Sequence, residues 1–155
     1  MNNWIHPALF YLVGALFLPL FKGALKKVVI LLIPVAGIVS VAVSSYGNYG
    51  AYQFLGVEGL FGRVDKLSMV FAWVFVIMSF LGALYALHRK EDGHHIAGFY
   101  YVGGSLGAVF AGDYLTLFIF WEAMAFSSVF LIWYGRRPQS VDAGYRYLLF
   151  HVFGG

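Results

Sequence analysis

The sequence predicts an all-α integral membrane protein: a multi-pass helical bundle of five full transmembrane helices and a truncated sixth. Three observations predict it. Apolar residues make up 61% of the chain and charged residues only 11%, where a soluble domain carries about a quarter charged. The apolar residues come in long unbroken runs, so each helix is apolar all round and must be covered on every side by protein or lipid. The charges sit in short clusters between those runs.

The spans follow in order, each near the ~20 residues that cross ~30 Å of hydrocarbon. The first is Ile5–Phe21, the second Val28–Ser44 and the third Leu67–Leu87. The fourth is Ile96–Ala111, the fifth Tyr114–Tyr134, and a sixth begins near Gly144 and stops at Gly155. Met1-Asn2-Asn3-Trp4 lacks the positive leader of a signal peptide, and the positive charge follows the first run. That order predicts an uncleaved first span. Pro7 sits where a helix start tolerates proline. Pro19 and Pro34 fall where membrane helices accept kinks if neighbours satisfy the freed carbonyls.

Alternating spans sort the basic residues. Lys22, Lys26, Lys27, Arg89, Lys90, Arg136, Arg137 and Arg146 fall on one side, and Arg63 and Lys66 on the other. The excess marks the cytoplasmic side and puts the N-terminus outside a plasma or inner membrane. Residues 46–66 are the only sizeable segment off the membrane, expected as a short extracytoplasmic hairpin. Its turn is expected at Tyr46–Gly50 and a strand at Tyr52–Leu55. In Arg63-Val64-Asp65-Lys66, Asp65 is expected to cap the third span. The whole of 1–155 reads as a single membrane unit, without repeat or soluble linker.

Several chemistries are excluded. There is no cysteine, hence no disulfide or thiolate metal site. The net charge of +3 is spread over membrane-flanking clusters, which argues against nucleic acid. His88-Arg89-Lys90-Glu91-Asp92-Gly93-His94-His95 lacks supported metal-ligand spacing and reads as a solvated turn. Gly103-Gly104-Ser105-Leu106-Gly107-Ala108 has no preceding strand and no following lysine, so it is no phosphate loop. Its small residues instead predict close helix packing. No metal and no cofactor is expected.

Glu122 stands apart, roughly 13 Å along its helix from Asp113 at ~1.5 Å rise per residue. A carboxylate at mid-bilayer costs several kcal/mol unless it pairs, is hydrated or takes up a proton. Glu122 is therefore read as a proton carrier, against a structural carboxyl bonded to a serine such as Ser127 or Ser128. Asp113 reads as the N-cap of the fifth span. Arg146 and His151 lie on the sixth. Arg146 could snorkel to the interface or act as the charge partner of Glu122. His151 reads equally as a proton relay or as a histidine bonded to a carbonyl or serine.

Three stretches carry a resemblance. They are Gly62-Arg63-Val64-Asp65-Lys66-Leu67-Ser68, then Gly112-Asp113-Tyr114-Leu115-Thr116-Leu117-Phe118-Ile119-Phe120-Trp121-Glu122, then Tyr145-Arg146-Tyr147-Leu148-Leu149-Phe150-His151. In order and spacing the chain resembles the antiporter-like subunits of Mrp-type cation/proton antiporters, the D subunit above all, and those of respiratory complex I. The resemblance implies a subunit of a secondary transporter that moves protons, coupled to sodium or to a redox module. Its partners would be the other membrane subunits of a hetero-oligomeric assembly. It implies that Glu122 matches the fifth-helix glutamate of the proton path, which in the family works with a lysine on a broken seventh helix. It further implies that this chain corresponds to the N-terminal part of a longer subunit. Complex I-related oxidoreductases and membrane-bound hydrogenases carry the same kind of subunit. A non-transporting membrane scaffold is the alternative of another class.

Overall fold

The computed structural model describes residues 4–54, 56–89, 91–135 and 137–154. Lys90 and Arg136, counted above among the loop charges, lie outside the described residues. Helix α1 (Pro7–Phe17) runs into a 3-10 turn, Leu18–Leu20. Then come α2 (Gly23–Ala42), strands β1 (Gly47–Phe54) and β2 (Val57–Val64), and α3 (Lys66–Ala86). Helices α4 (Asp92–Phe110), α5 (Tyr114–Trp133) and α6 (Ser140–Gly154) complete the described chain.

The helix starts are written locally. His6 accepts a bond from the Ala8 N–H through Nδ1, and Pro7 follows at the first helical position, where its missing N–H costs nothing. Asp65 caps α3 in a reciprocal box with Ser68, at 2.8 and 2.9 Å. Asp113 caps α5 by accepting from the Thr116 N–H. Pro19 lies within the 3-10 turn, and the chain restarts at Gly23 with φ +62°, a conformation that favours glycine. Pro34 is absorbed inside α2 and fully buried.

Helices α1 to α4 close a ring, α1 packing on both α2 and α4 while α3 bridges α2 and α4. Tyr11 sits at its centre, fully buried, its hydroxyl 2.6 Å from that of Ser79. Pairing the two hydroxyls avoids the cost of an unsatisfied polar group in an apolar core. Helix α5 lies outside the ring against α4, and α6 lies against α5. The faces turned outward are apolar, with Leu16, Val39, Val43, Val70, Val74, Met78, Ile119 and Phe130 all exposed. So large an apolar perimeter needs lipid or partner helices to cover it.

By length and apolar composition, three of these helices suffice to cross a bilayer: α2, α3 and α5. The five full crossings read from sequence are thus not matched one for one. The apolar stretch of α1 with its 3-10 turn, Pro7–Leu20, is short. Helix α4 opens on Asp92, Gly93, His94 and His95 and is glycine-rich at its middle, so its mean hydropathy falls. It is also the helix most enclosed by its neighbours, with Phe99, Gly103, Gly104, Leu106, Gly107 and Phe110 buried. A helix shielded by protein does not need to be apolar all round.

The two strands form an antiparallel hairpin with Phe54 opposite Val57 and Gly47 opposite Val64. The chain turns at Gly56, φ +82°, not at Tyr46–Gly50, whose Gly47–Gly50 belongs to β1. At this end of the molecule Trp4 donates to Ser44 Oγ at 3.0 Å, stacks on Tyr49 and lies against Gly62. At the other end Lys26 pairs with Asp92, and Tyr134 lies against Gly93. The α1–α2, α3–α4 and α5–α6 connections therefore share one end, opposite the hairpin.

Candidate functional site

Each part of the stretch Gly112–Glu122 fixes the next. A side chain at Gly112 would run into the Leu60 carbonyl of β2, so only glycine admits the hairpin that closely. Asp113 then takes the Leu60 N–H at 2.7 Å, the Thr116 N–H at 2.8 Å, the Thr116 hydroxyl at 3.1 Å and the Tyr52 phenol at 3.1 Å. Burial works against the charged carboxylate. The Thr116 and Leu60 N–H groups, with the Thr116 and Tyr52 hydroxyls, outweigh it and hold its pKa below the usual carboxylate range. Asp113 thus binds the hairpin to the start of α5 as well as capping it.

Phe120 fixes the rotation of α5. It occupies the space a side chain at Gly107 would need, and Gly104 brings α4 against the Phe120 carbonyl. On its other sides Phe120 meets His6, with ring centroids 5.7 Å apart, and Phe61, at 6.0 Å. Glu122 comes two residues later, about 200° round the helix. With Phe120 held against α4, Glu122 is directed away from α4 and meets α6.

There the structure brings Glu122 and His151 together. His151 Nε2 lies 3.5 Å from Glu122 Oε1, with 18% and 25% of the two side chains exposed. That nitrogen is buried and has no hydrogen-bond partner. The separation is just beyond hydrogen-bond length, and a small rotation of either side chain would close it. Trp121 and Tyr147 flank the imidazole at 6.4 and 6.1 Å between ring centroids, Tyr147 nearly parallel to it. Glu122 is half-buried within this chain rather than fully enclosed. Arg146 is exposed and makes no ion pair with any described residue, so the structure brings His151, not Arg146, to the carboxylate. Ser127 and Ser128 donate to carbonyls of their own helix, Met124 and Ala125, not to Glu122.

Two features escaped the sequence reading. One is the second role of Asp113, invisible because Tyr52 and Leu60 lie far away in sequence. The other is His6, enclosed by Trp4, Phe61, Phe110 and Phe120. The only local signal for it was a histidine immediately before a helix-starting proline. In the 88–95 stretch, His88 Nδ1 lies 2.8 Å from the Tyr85 carbonyl and His95 Nε2 3.3 Å from that of Arg89, so both rings are engaged by backbone.

No family model matches the sequence. The chain is 30% identical over 98 residues to the Na(+)/H(+) antiporter subunit A1 of Staphylococcus haemolyticus (strain JCSC1435), an alignment covering 59% of this chain and 12% of that protein. The A1 subunits of Staphylococcus aureus strains JH9 and Newman match with the same identity and coverage. In structure, the chain superposes on a chain of the membrane-bound sulfane sulfur reductase (MBS), an archaeal respiratory membrane complex. The TM-score is 0.79 at 20% identity, over 96% of this chain and 34% of that one. Over those 98 residues the sequence is similar to an antiporter subunit, and the fold is that of a respiratory membrane complex chain. It spans about an eighth of the length of the curated relatives it matches. Those relatives are A subunits, whereas the motifs suggested the D subunit. The antiporter-like character is common to both.

Proposed function

We propose that this chain is a proton-conducting membrane subunit, or part of one, of a multisubunit cation/proton antiporter, and that Glu122 and His151 share the proton. The observation that carries the reading is the buried, otherwise unpartnered His151 Nε2 facing Glu122 Oε1 at 3.5 Å. A carboxyl and an imidazole at this distance have two arrangements holding one proton: a neutral acid beside a neutral base, or a carboxylate beside an imidazolium. Exchange between them moves a proton without changing net charge in the bilayer, where net charge is expensive. The protons would be coupled to Na+ as in the relatives' name. The sequence similarity supports an antiporter-like subunit, and the relatives it names are A subunits.

In this reading α1 and α4 cross the bilayer together with α2, α3 and α5. The end carrying Lys26 and Tyr134 faces the cytoplasm, and the hairpin and N-terminus face outward, as the loop charges predict.

The test is ΔpH-driven cation exchange in inverted membrane vesicles containing the native assembly. Glu122→Gln should abolish exchange while the chain remains in the assembly at normal abundance. Undiminished exchange in that variant would remove the proposal and favour a scaffold whose carboxyl only bonds across an interface.

A second reading is favoured by the fold similarity to a respiratory membrane complex: the same proton-carrying subunit attached to a redox module. Co-purification with redox subunits rather than with other antiporter subunits separates the two.

A further inference from the structure

Among the described residues, three buried side-chain nitrogens lack a hydrogen-bond partner: His6 Nε2, Trp133 Nε1 and His151 Nε2. Two of the three lie on the seam between α5 and α6. His151 Nε2 faces Glu122, and Trp133 Nε1 lies against Gly144, near the α5–α6 connection. Buried donors and acceptors are almost always paired, so these two nitrogens set the seam apart from the rest of the described packing.

Between these two points lie a pair of hydroxyls. Ser128 Oγ is 2.6 Å from the Ala125 carbonyl and 2.9 Å from Tyr147 Oη. A serine hydroxyl has one proton and two acceptor sites, so it donates to only one of these at a time. When the carbonyl takes the proton, the phenol oxygen is left without that donor. When Ser128 turns, it donates to the phenol, whose own proton is then free to point onward. Tyr147 is one turn before His151 on α6, and their rings are nearly parallel at 8°. Ser128 is six residues beyond Glu122, about 9 Å nearer the α5–α6 connection.

We propose that Ser128 and Tyr147 form a proton relay that feeds the Glu122–His151 pair along the α5–α6 seam. The inference rests on the proposed role of Glu122 and names the route that supplies it. A proton arriving at Ser128 Oγ is matched by one leaving that oxygen for Tyr147 Oη. The phenol's proton passes, by way of a water that the relay requires, to Nδ1 of the imidazole, and Nε2 delivers its own proton to the Glu122 carboxylate. Each group gives up one proton as it gains one, so only Glu122 changes charge. Turning both hydroxyls back, and returning the imidazole proton from Nδ1 to Nε2, resets the relay.

The experiment is the same vesicle exchange assay, with abundance in the assembly measured beside it. Tyr147→Phe keeps the ring over His151 and removes only the hydroxyl; Ser128→Ala removes the other hydroxyl. Each is expected to slow exchange about tenfold at unchanged abundance, less than the loss of a whole acid–base group. Ser128→Thr, which restores a hydroxyl, should recover the rate. The double variant should be no slower than the slower single one, because both interrupt one route. Wild-type rates in Tyr147→Phe and Ser128→Ala, with Glu122→Gln inactive, would overturn the relay and leave the role of Glu122 standing. Exchange that persists in Glu122→Gln would overturn both.

Discussion

Asp113 shows how much one side chain can hold. Its carboxylate receives two backbone N–H groups and two hydroxyls, so it caps α5 and fastens β2 to it. Asp113→Ala removes the cap and leaves the half-buried Leu60 N–H without its acceptor, which should destabilise the chain by about 2 kcal/mol. Thermal unfolding in detergent measures it. The lowered pKa of Asp113 also sets a pH dependence. A carboxylate bound more tightly when ionised stabilises the fold above its unfolded value of ~3.9, and that stability is lost as pH falls through the lower folded value. Wild type should therefore lose more stability between neutral pH and pH 3 than Asp113→Asn does, measured by the same unfolding. Equal losses in the two would mean that the carboxylate charge is not what fastens the hairpin.

At the scale of elements, α4 and α5 depend on glycine. The Gly103–Ala108 stretch predicts close packing, and the structure supplies its object: Gly107 makes room for the ring of Phe120 and Gly104 for its carbonyl. Gly107→Leu should overpack the contact and cost about 1–3 kcal/mol. Adding Phe120→Ala to Gly107→Leu should recover part of that loss, because the two side chains compete for one space. The same melts report it, and full additivity of the two changes would contradict the contact. Much of each element was legible in sequence. Apolar runs give the helices, and Asp65 and Asp113 give two of their starts. Helix α2 begins before its apolar run, at Gly23, since lysines can be carried near the start of a membrane helix with their ammonium groups reaching outward, and α4 begins at Asp92, four residues before its own run. The strand register was not legible. It depends on Trp4, Ser44 and Asp113, which come together only in the fold, while glycines at Gly47 and Gly50 imitate a turn. For the site, a lone carboxylate in an apolar run marks itself, but which α6 residue meets it depends on how α6 lies on α5. Phe120 settles the facing of α5, and its place in the Gly112–Glu122 stretch does not say which helix it meets.

At the scale of the whole molecule, α1 to α4 form a closed ring and α5 and α6 lie outside it, so the candidate proton site lies at the edge of the chain. Glu122 keeps 25% of its side chain open there, and in the proposed assembly other helices would cover it. The ends of the molecule can be assigned directly. The chain has no cysteine, so single cysteines need no background removal. Gln53→Cys on the hairpin should react with an impermeant thiol reagent added outside intact cells, and Asp142→Cys only after access to the cytoplasm. The opposite pattern would invert the orientation. The central claim is that Glu122 and His151 act as one proton site, and a mutant cycle on exchange rate tests it most directly. Glu122→Gln, His151→Gln and the double variant should be measured in the native assembly at matched abundance. Both single variants should lose exchange, and the double should be no worse than Glu122→Gln alone. A His151→Gln variant that exchanges at the wild-type rate would contradict the claim.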